Sequence, residues 1–430
     1  MRYYSTRGKN ESAGFAQAAL AGLAQDGGLF VPQEIPPYPR AVRTSLGTMD
    51  FRDIAFETVK LYCGDDIPDA ALAGIAQTAF SFDAPLVSVG GRQVLELFHG
   101  PSAAFKDFGA RFMARAFAYL RRGEDAPLHI LTATSGDTGG AVAEGFFEVP
   151  GINVTVLYPK GRVTPLQEKQ IAGLGKNIRA LAVEGSFDDC QRLVKTALTD
   201  SDLARRGAAA RRGAALTSAN SINICRLIPQ AVYYAAAAGR GGGGASFAVP
   251  CGNLGNLTAG IYAMKMGAPI AGFVAAANAN RAVPDYLATG QYKPRPSVAT
   301  ISNAMDVGAP SNFERIAAHF SHEQLRSFVA GFSVTDDQTR QTIAKVYEES
   351  GYILDPHGAV AWHAATAAGQ AALGEKMPVT LCTAHPAKFA QTVEPICGAV
   401  PVPDSLAGAM RREARAQTIP ADYAAFADIL

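Results

Sequence analysis

Apolar positions recur along this chain with two different rhythms, and the change of rhythm divides it. Up to about residue 95 they fall at helical spacing in short patches, from Phe15 to Leu23, Phe51 to Leu61 and Ala70 to Phe80, parted by turn clusters such as GLFVPQEIPPYPR. No alternation of strand and helix is visible there, so a separate N-terminal domain over residues 1–95 is expected. Between Glu96 and Arg122 one amphipathic helix stands out. Phe105, Phe108, Phe112, Met113, Ala116, Phe117 and Leu120 repeat every three or four residues, with Arg111, Arg115 and Arg122 on the opposite side.

From Leu128 onward the pattern becomes strand, glycine loop, helix, repeated. Strands are expected from Leu128 to Thr132, Ile152 to Tyr158 and Ile178 to Val183. The helices between them carry recognisable starts: Thr164 as cap with Pro165 at the first helical position, then Ser186 with Asp189 as a capping box. A longer helix from Ile222 to Ala238 runs into Gly241–Gly244, which reads as a flexible connection. A second series follows: strand Phe247 to Pro250, the loop CGNLGN, helix Leu257 to Met266, and strand Ile270 to Ala277. Residues 280–315, rich in Pro, Asn and Ser, read as a long functional or surface insertion. Helices from Asp336 and Pro356 and a last strand from Val379 to Thr383 complete the series. The expected fold is therefore α/β, with two parallel-sheet lobes over residues 96–240 and 241–430 behind the N-terminal domain.

Composition narrows the function. The chain has 430 residues, 48% apolar and 18% charged, with a formal net charge of +1. That balance leaves no electrostatic footprint for nucleic acid or an anionic membrane. The N-terminus lacks a signal-peptide pattern, and no apolar run approaches a membrane span, so a cytoplasmic protein is expected. Six scattered cysteines form no CxxC pair and read as small buried hydrophobes, and His319 and His322 have no acidic or cysteine partner at ligand spacing. No metal is expected.

Chemistry should lie in the loops after strands, because ligands in such folds sit at the strands' carboxyl ends. Lys106 stands at the mouth of the aromatic helix, near the positive end of its dipole, where an ammonium is disfavoured. Such a lysine is a usable amine nucleophile and Schiff-base former; a solvated head on a stem lying over the aromatic face is the plainer reading. Thr134–Gly140, TSGDTGG, reads either as an anion cradle of backbone N–H groups or as a turn capped by Asp137 or Thr138. Gly252, Asn253, Leu254, Gly255 and Asn256 join a strand to a helix without any charge, as a dianion held by N–H groups requires. In SANSINICR, Asn220, Ser221, Asn223 and Arg226 either form an anion-binding cluster or are an N-capped helix with a surface arginine.

Six segments in order carry a resemblance over nearly the whole chain. YYSTRG with GLAQDGGLFVP, HGPSAAFKDFGAR, TATSGDTGGA, NSINICR, CGNLGN and TAHPAKF resemble those of the threonine synthase family, pyridoxal-phosphate enzymes of fold type II related to the tryptophan synthase β subunit. The resemblance implies that Lys106 carries pyridoxal 5'-phosphate and then shuttles protons. It implies that Gly252, Asn253, Leu254, Gly255 and Asn256 hold the cofactor phosphate and that Thr383 bonds its pyridine nitrogen. Ser135, Gly136, Asp137 and Thr138 would lie beside substrate and cofactor ring, and Asn220, Ser221, Asn223 and Arg226 would take the substrate phosphate. The implied reaction converts O-phospho-L-homoserine and water to L-threonine and phosphate, and likeness to the N-terminally extended branch implies a monomer. Two alternatives stand beside it. A serine or threonine dehydratase of the same fold type would release a keto acid and no phosphate, and a non-catalytic binding relative would lack the lysine or the phosphate loop.

Overall fold

Burial on both faces explains why the strands of the two series read as nearly continuous apolar runs rather than alternating ones. The fold is described from a computed structural model covering residues 1–200, 203, 215–242, 244–369 and 377–430. Gly243, within the glycine run, lies outside the described residues.

The N-terminal part contains a small antiparallel sheet in the order β2-β1-β3, made of β1 (Tyr3–Ser5), β2 (Gly8–Ala13) and β3 (Phe30–Pro32). Strands of three to six residues are too short to announce themselves by periodicity. The three expected helices are present as Phe15–Ala21, Phe51–Cys63 and Asp69–Ala79. In Phe51–Cys63 the Asp50 side chain caps the first turn, and Phe51, Ile54, Ala55, Val59 and Tyr62 form the buried face.

The expected domain limits need correction. β4 (Leu86–Val89) and β5 (Arg92–Glu96) form a hairpin across Gly90 and Gly91, both at positive φ, which matches the two-glycine turn such hairpins favour. β5 then pairs in parallel with β13 (Val379–Cys382). A limit at residue 95 therefore cuts a strand of the second lobe's sheet.

The first lobe's sheet contains β6 (Leu128–Ala133), β7 (Ile152–Pro159), β8 (Ile178–Glu184) and β9 (Ala215–Ser218). The second lobe's sheet adds β10 (Ala245–Pro250), β11 (Ile270–Ala277) and β12 (Val329–Ser333). Finally β14 (Gln417–Pro420) returns to the first lobe and pairs in parallel with β8. The C-terminal segment thus belongs to the sheet that the sequence reading assigned to residues 96–240.

Strand order places the site. The five-stranded sheet runs β14-β8-β7-β6-β9 and the six-stranded one β12-β11-β10-β13-β5-β4. In the first, the chain leaves β6 towards β7 and later returns on its other side as β9. In the second, it leaves β10 towards β11 and returns on the other side as β13. Each reversal opens a crevice at the strand carboxyl ends. The stretch expected as one helix from Ile222 to Ala238 is broken into Ile224–Leu227, a 3-10 turn Ile228–Gln230 and Ala231–Arg240. Pro229 is the reason, since it has no N–H for the helical ladder. Among the described residues no helix is long and apolar enough to cross a membrane.

Candidate active site

The loops after β6, β9, β10 and β13 open into one cleft enclosing about 790 Å³, solvent at its mouth included. Lys106 lies at its floor as the first residue of the Lys106–Leu120 helix. The segment leading to it is pinned along the end of β13. Leu97 N donates to Cys382 O at 2.9 Å, Phe105 N to Thr383 O at 2.9 Å, and His385 N to Ala103 O at 3.0 Å. Those bonds bring Lys106 beside Thr383, which also lines the cleft. The lysine side chain is 15% exposed, and its Nζ lies 4.6 Å from the Phe105 ring centroid. Burial pulls its amine down to about 8, Asp137 pulls the other way, and Lys388 and Arg226 reinforce the fall. Desolvation is the dominant cause, rather than the helix-mouth position alone.

Asp137 opens the Asp137–Phe146 helix and is buried. Its Oδ1 accepts from Lys388 Nζ at 2.7 Å and Gln167 Nε2 at 3.0 Å, and its Oδ2 lies 3.8 Å from Lys106 Nζ. Burial works against the charge, but Lys388 and Lys106 overcome it and hold the group well below the usual carboxylate range. Neither Asp137 nor Thr138 caps this turn. Thr134 Oγ1 does so, accepting from Gly136 N and Gly139 N, each at 2.9 Å. That leaves the N–H groups of Asp137 and Thr138 in the first turn without intrahelical acceptors, at residues that line the cleft with Ser135.

On the opposite side Leu254 stands at φ 61 as the N-cap of the Gly255–Lys265 helix and gives it no side-chain cap. A left-handed, non-glycine residue in a cap position leaves the helix's first N–H groups open, and strain of this kind gathers at ligand sites. Gly252 fits because a Cβ there would lie 2.9 Å from Ala304 O. Asn256 is oriented by two phenols, Tyr233 and Tyr234, which donate to its Oδ1 at 2.6 and 2.7 Å. Its buried Nδ2 has no protein partner, although the residue lines the cleft. An uncharged loop with an open helix N-terminus and an unanswered amide donor suits a phosphate dianion, so the residues present fit a phosphate-bearing cofactor reaching Lys106.

A second group of donors faces this one. Ser221 Oγ accepts from Asn253 Nδ2 at 2.7 Å and Asn312 Nδ2 at 3.3 Å, leaving its own proton free to donate. Asn220 ties β9 to β6 through Ala133 N, at 2.9 Å, and also lines the cleft. Arg226 is buried, donates through Nη1 to Ala219 O, and keeps an Nε without a partner. It is no surface arginine. Burial lowers its guanidinium to about 10, still charged at neutral pH.

Two expected residues do not join the cleft. Asn223 is fully buried; its Nδ2 donates to Ala19 O and Ser218 O, and its Oδ1 caps the next helix through Cys225 N. Both its donor hydrogens are committed. Gly136, at φ 144, gives its N–H to Thr134 and lets Gln167 approach, where a Cβ would lie 2.5 Å from Gln167 Nε2. Conversely the sequence reading missed Lys388, Gln167, and His357, which pairs with Asp355 through Nδ1 at 2.7 Å and accepts from Ala304 N through Nε2. Lys388 lies in the segment TAHPAKF, and its place inside a motif was the available signal. The insertion over residues 280–315, expected as functional or surface, is partly each: residues 293–296 are exposed, and a later part forms cleft wall. Ala304, Met305 and Val307 line the cleft, and Arg315 ties this segment to Phe30 O and Ser221 O, both at 3.0 Å.

Comparison with known proteins agrees with this geometry. The family described as pyridoxal-phosphate dependent enzyme matches residues 94–383. Threonine synthase of Escherichia coli (strain K12) is 40% identical, across 100% of this chain and 99% of that one. The chain belongs to the threonine synthase family. Threonine synthase N-terminal and C-terminal families match residues 2–80 and 358–430. The crystal structure of threonine synthase from E. coli superposes with a TM-score of 0.91 at 39% identity, covering 99% of this chain and 98% of that one. The pyridoxal-phosphate-bound threonine synthase from Brucella melitensis superposes with 0.87 at 35% identity, covering 99% and 98%. As a member of the threonine synthase family the chain is a pyridoxal-phosphate-dependent lyase acting on a small molecule.

Proposed function

We propose that this cleft converts O-phospho-L-homoserine and water to L-threonine and phosphate, with pyridoxal phosphate carried on Lys106. The observation that carries the reading is one cleft in which the Lys106 amine meets the uncharged loop Gly252–Asn256 and, adjoining that loop, further donors at Ser221 and Arg226. Bound pyridoxal phosphate supplies the electron sink that side chains lack for charge left at Cα and then Cβ. The open N–H groups at Gly255 and Asn256, with Asn256 Nδ2, hold the cofactor phosphate, and the Thr383 hydroxyl serves its pyridine nitrogen. Ser135 and Thr138 would hold the substrate carboxylate with first-turn N–H groups, and Asp137, 3.8 Å from the Lys106 amine, would face the cofactor that amine carries. Asn220, Ser221 and Arg226 hold the phosphate that leaves Cγ. The Lys106 amine, which titrates at about 8, would take protons from Cα and Cβ and return one to Cγ, which becomes the methyl group as phosphate leaves, and one to Cα after water adds at Cβ, with the remaining proton of that water leaving on the phosphate.

The test is the near-visible spectrum of the protein with pyridoxal phosphate, wild type beside Lys106→Ala, before and after borohydride. A band that reduction fixes to the Lys106 peptide is expected, followed by phosphate release from O-phosphohomoserine. No fixation at Lys106 sinks the assignment, and keto-acid release without phosphate would point to a dehydratase. We further propose a cytoplasmic monomer. All six cysteines are buried free thiols, which suits a reducing compartment, and the exposed large hydrophobics among the described residues, Val298, Tyr347, Val402 and Met410, are scattered. Cell fractionation and light scattering check these two points.

A further inference from the structure

Lys388 has a fully buried side chain, and the chemistry described above gives it no task. Its Nζ holds Asp137 Oδ1 at 2.7 Å and the Ser102 carbonyl at 2.9 Å. Gln167 grips the same carboxylate oxygen at 3.0 Å, and its own Oε1 is held by Thr164 N at 3.0 Å and Asn303 Nδ2 at 3.2 Å. One oxygen of Asp137 is therefore locked from two directions, and the other is left facing the Lys106 amine at 3.8 Å. The three groups form a buried row of positive, negative and positive charge. An unmatched buried carboxylate in that position would hold a proton on Lys106.

We propose that Lys388 is a positioning residue for Lys106: by clamping one oxygen of Asp137 it aims the other at the amine and offsets the carboxylate's charge, so that Lys106 can release its proton near neutral pH. The proposal rests on the assignment of Lys106 as the cofactor-bearing amine. The charged groups facing Lys106 are Asp137 and Asp355, which favour its ammonium, and Lys388 and Arg226, which oppose it. Asp137 in turn faces Lys388, Lys106 and His357. Asp107, next along the helix, directs its Oδ2 to Ser102 N at 2.9 Å. The signs follow from these neighbours. Removing the Lys388 charge strengthens proton binding at Lys106, removing the Asp137 charge weakens it, and removing both largely cancels.

The experiment uses the full chain freed of cofactor. Acetic anhydride labelling of Lys106 is followed against pH by peptide mass spectrometry, with circular dichroism as the fold check. Lys388→Gln should move the midpoint upward by about one pH unit or more, a tenfold change in proton concentration. Lys388→Arg should stay near wild type, Asp137→Asn should move downward, and Asp137→Asn/Lys388→Gln should return towards wild type. In the holoenzyme the acid limb of kcat/KM should shift in the same directions. A folded Lys388→Gln with a wild-type midpoint overturns the proposal. Should that variant fail to fold, an unmoved midpoint in Asp137→Asn, or a double variant that does not return, overturns it instead. Borohydride fixation separates the two ideas: an adduct at Lys106 with unmoved midpoints removes only the positioning role, and no adduct removes the assignment beneath it.

Discussion

Gly109→Ala sets two opposing effects against each other inside one helix. Gly109 lies in the Lys106–Leu120 helix, where replacing glycine by alanine ordinarily stabilises by about 1 kcal/mol. A Cβ at this position would, however, lie 2.5 Å from the carbonyl oxygen of Arg226 and 3.0 Å from its Nε. That carbonyl is not free to retreat, because Gln230 Nε2 holds it at 2.8 Å. Reaching an ordinary carbon–oxygen separation of about 3.3 Å requires a shift of about 0.8 Å. Overpacking of this kind costs about 1–3 kcal/mol, more than the propensity gain, so the net effect is a loss of up to about 2 kcal/mol. If Arg226 holds substrate as proposed, a displacement approaching 1 Å there lowers kcat/KM by up to about 100-fold. Phosphate release at low substrate, with denaturant unfolding of the same preparation, measures both. Gly74→Ala is the control: it sits in the Asp69–Ala79 helix with nothing within 4 Å of its Cβ, and should stabilise without touching turnover. If Gly109→Ala were also more stable, with wild-type kcat/KM, the close contact between the Lys106 helix and Arg226 would be refuted.

Three further outcomes are expected. Arg226→Ala removes a charge-assisted hydrogen bond of about 1.5–3 kcal/mol, so kcat/KM for phosphate release should fall roughly 10- to 150-fold; Arg226→Lys should restore only part, since an ammonium lacks the planar fork. Asn256→Asp keeps the acceptor that Tyr233 and Tyr234 use but turns an unanswered donor into a second anion. Pyridoxal phosphate affinity in a spectroscopic titration should then drop by at least about tenfold while the fold persists. The third concerns pH. Lys106 titrates at about 8 when folded against 10.5 ordinarily, so between those values the unfolded chain binds more protons at this group. Stability of the cofactor-free protein should therefore rise with pH through that window relative to Lys106→Met. Denaturant titrations at both ends check the sign, and a fall relative to the variant contradicts the buried amine.

Features set by neighbours in the chain are legible in the sequence itself. Thr164 with Gln167 and Ser186 with Asp189 form the reciprocal caps their spacing implies, because both partners lie within one helical turn. The aromatic face of the Lys106 helix follows from its three- and four-residue period, and the order of strands and glycine loops announces two parallel sheets. Even the β4–β5 hairpin has a local signal, in VSVGGRQVLE, which the longer helical rhythm around it obscures.

What the chain alone left open depends on pairings between distant segments. β5 and β14 each join a sheet remote in sequence, and no periodicity states a strand's partner. In SANSINICR the sequence offered four donors and could not divide them. The fold turns Asn223 inward to cap a helix and buries Arg226, a residue that lines the cleft, with an Nε that has no partner. Lys388 had only its place inside TAHPAKF to mark it until the fold paired it with Asp137. The physical reason is common to these cases: hydrogen-bonded caps and amphipathic faces act over a few residues, whereas desolvation, charge pairing and pKa depend on what surrounds a group. For Lys106 and Asp137 those surroundings are assembled only when the two sheets close on one another.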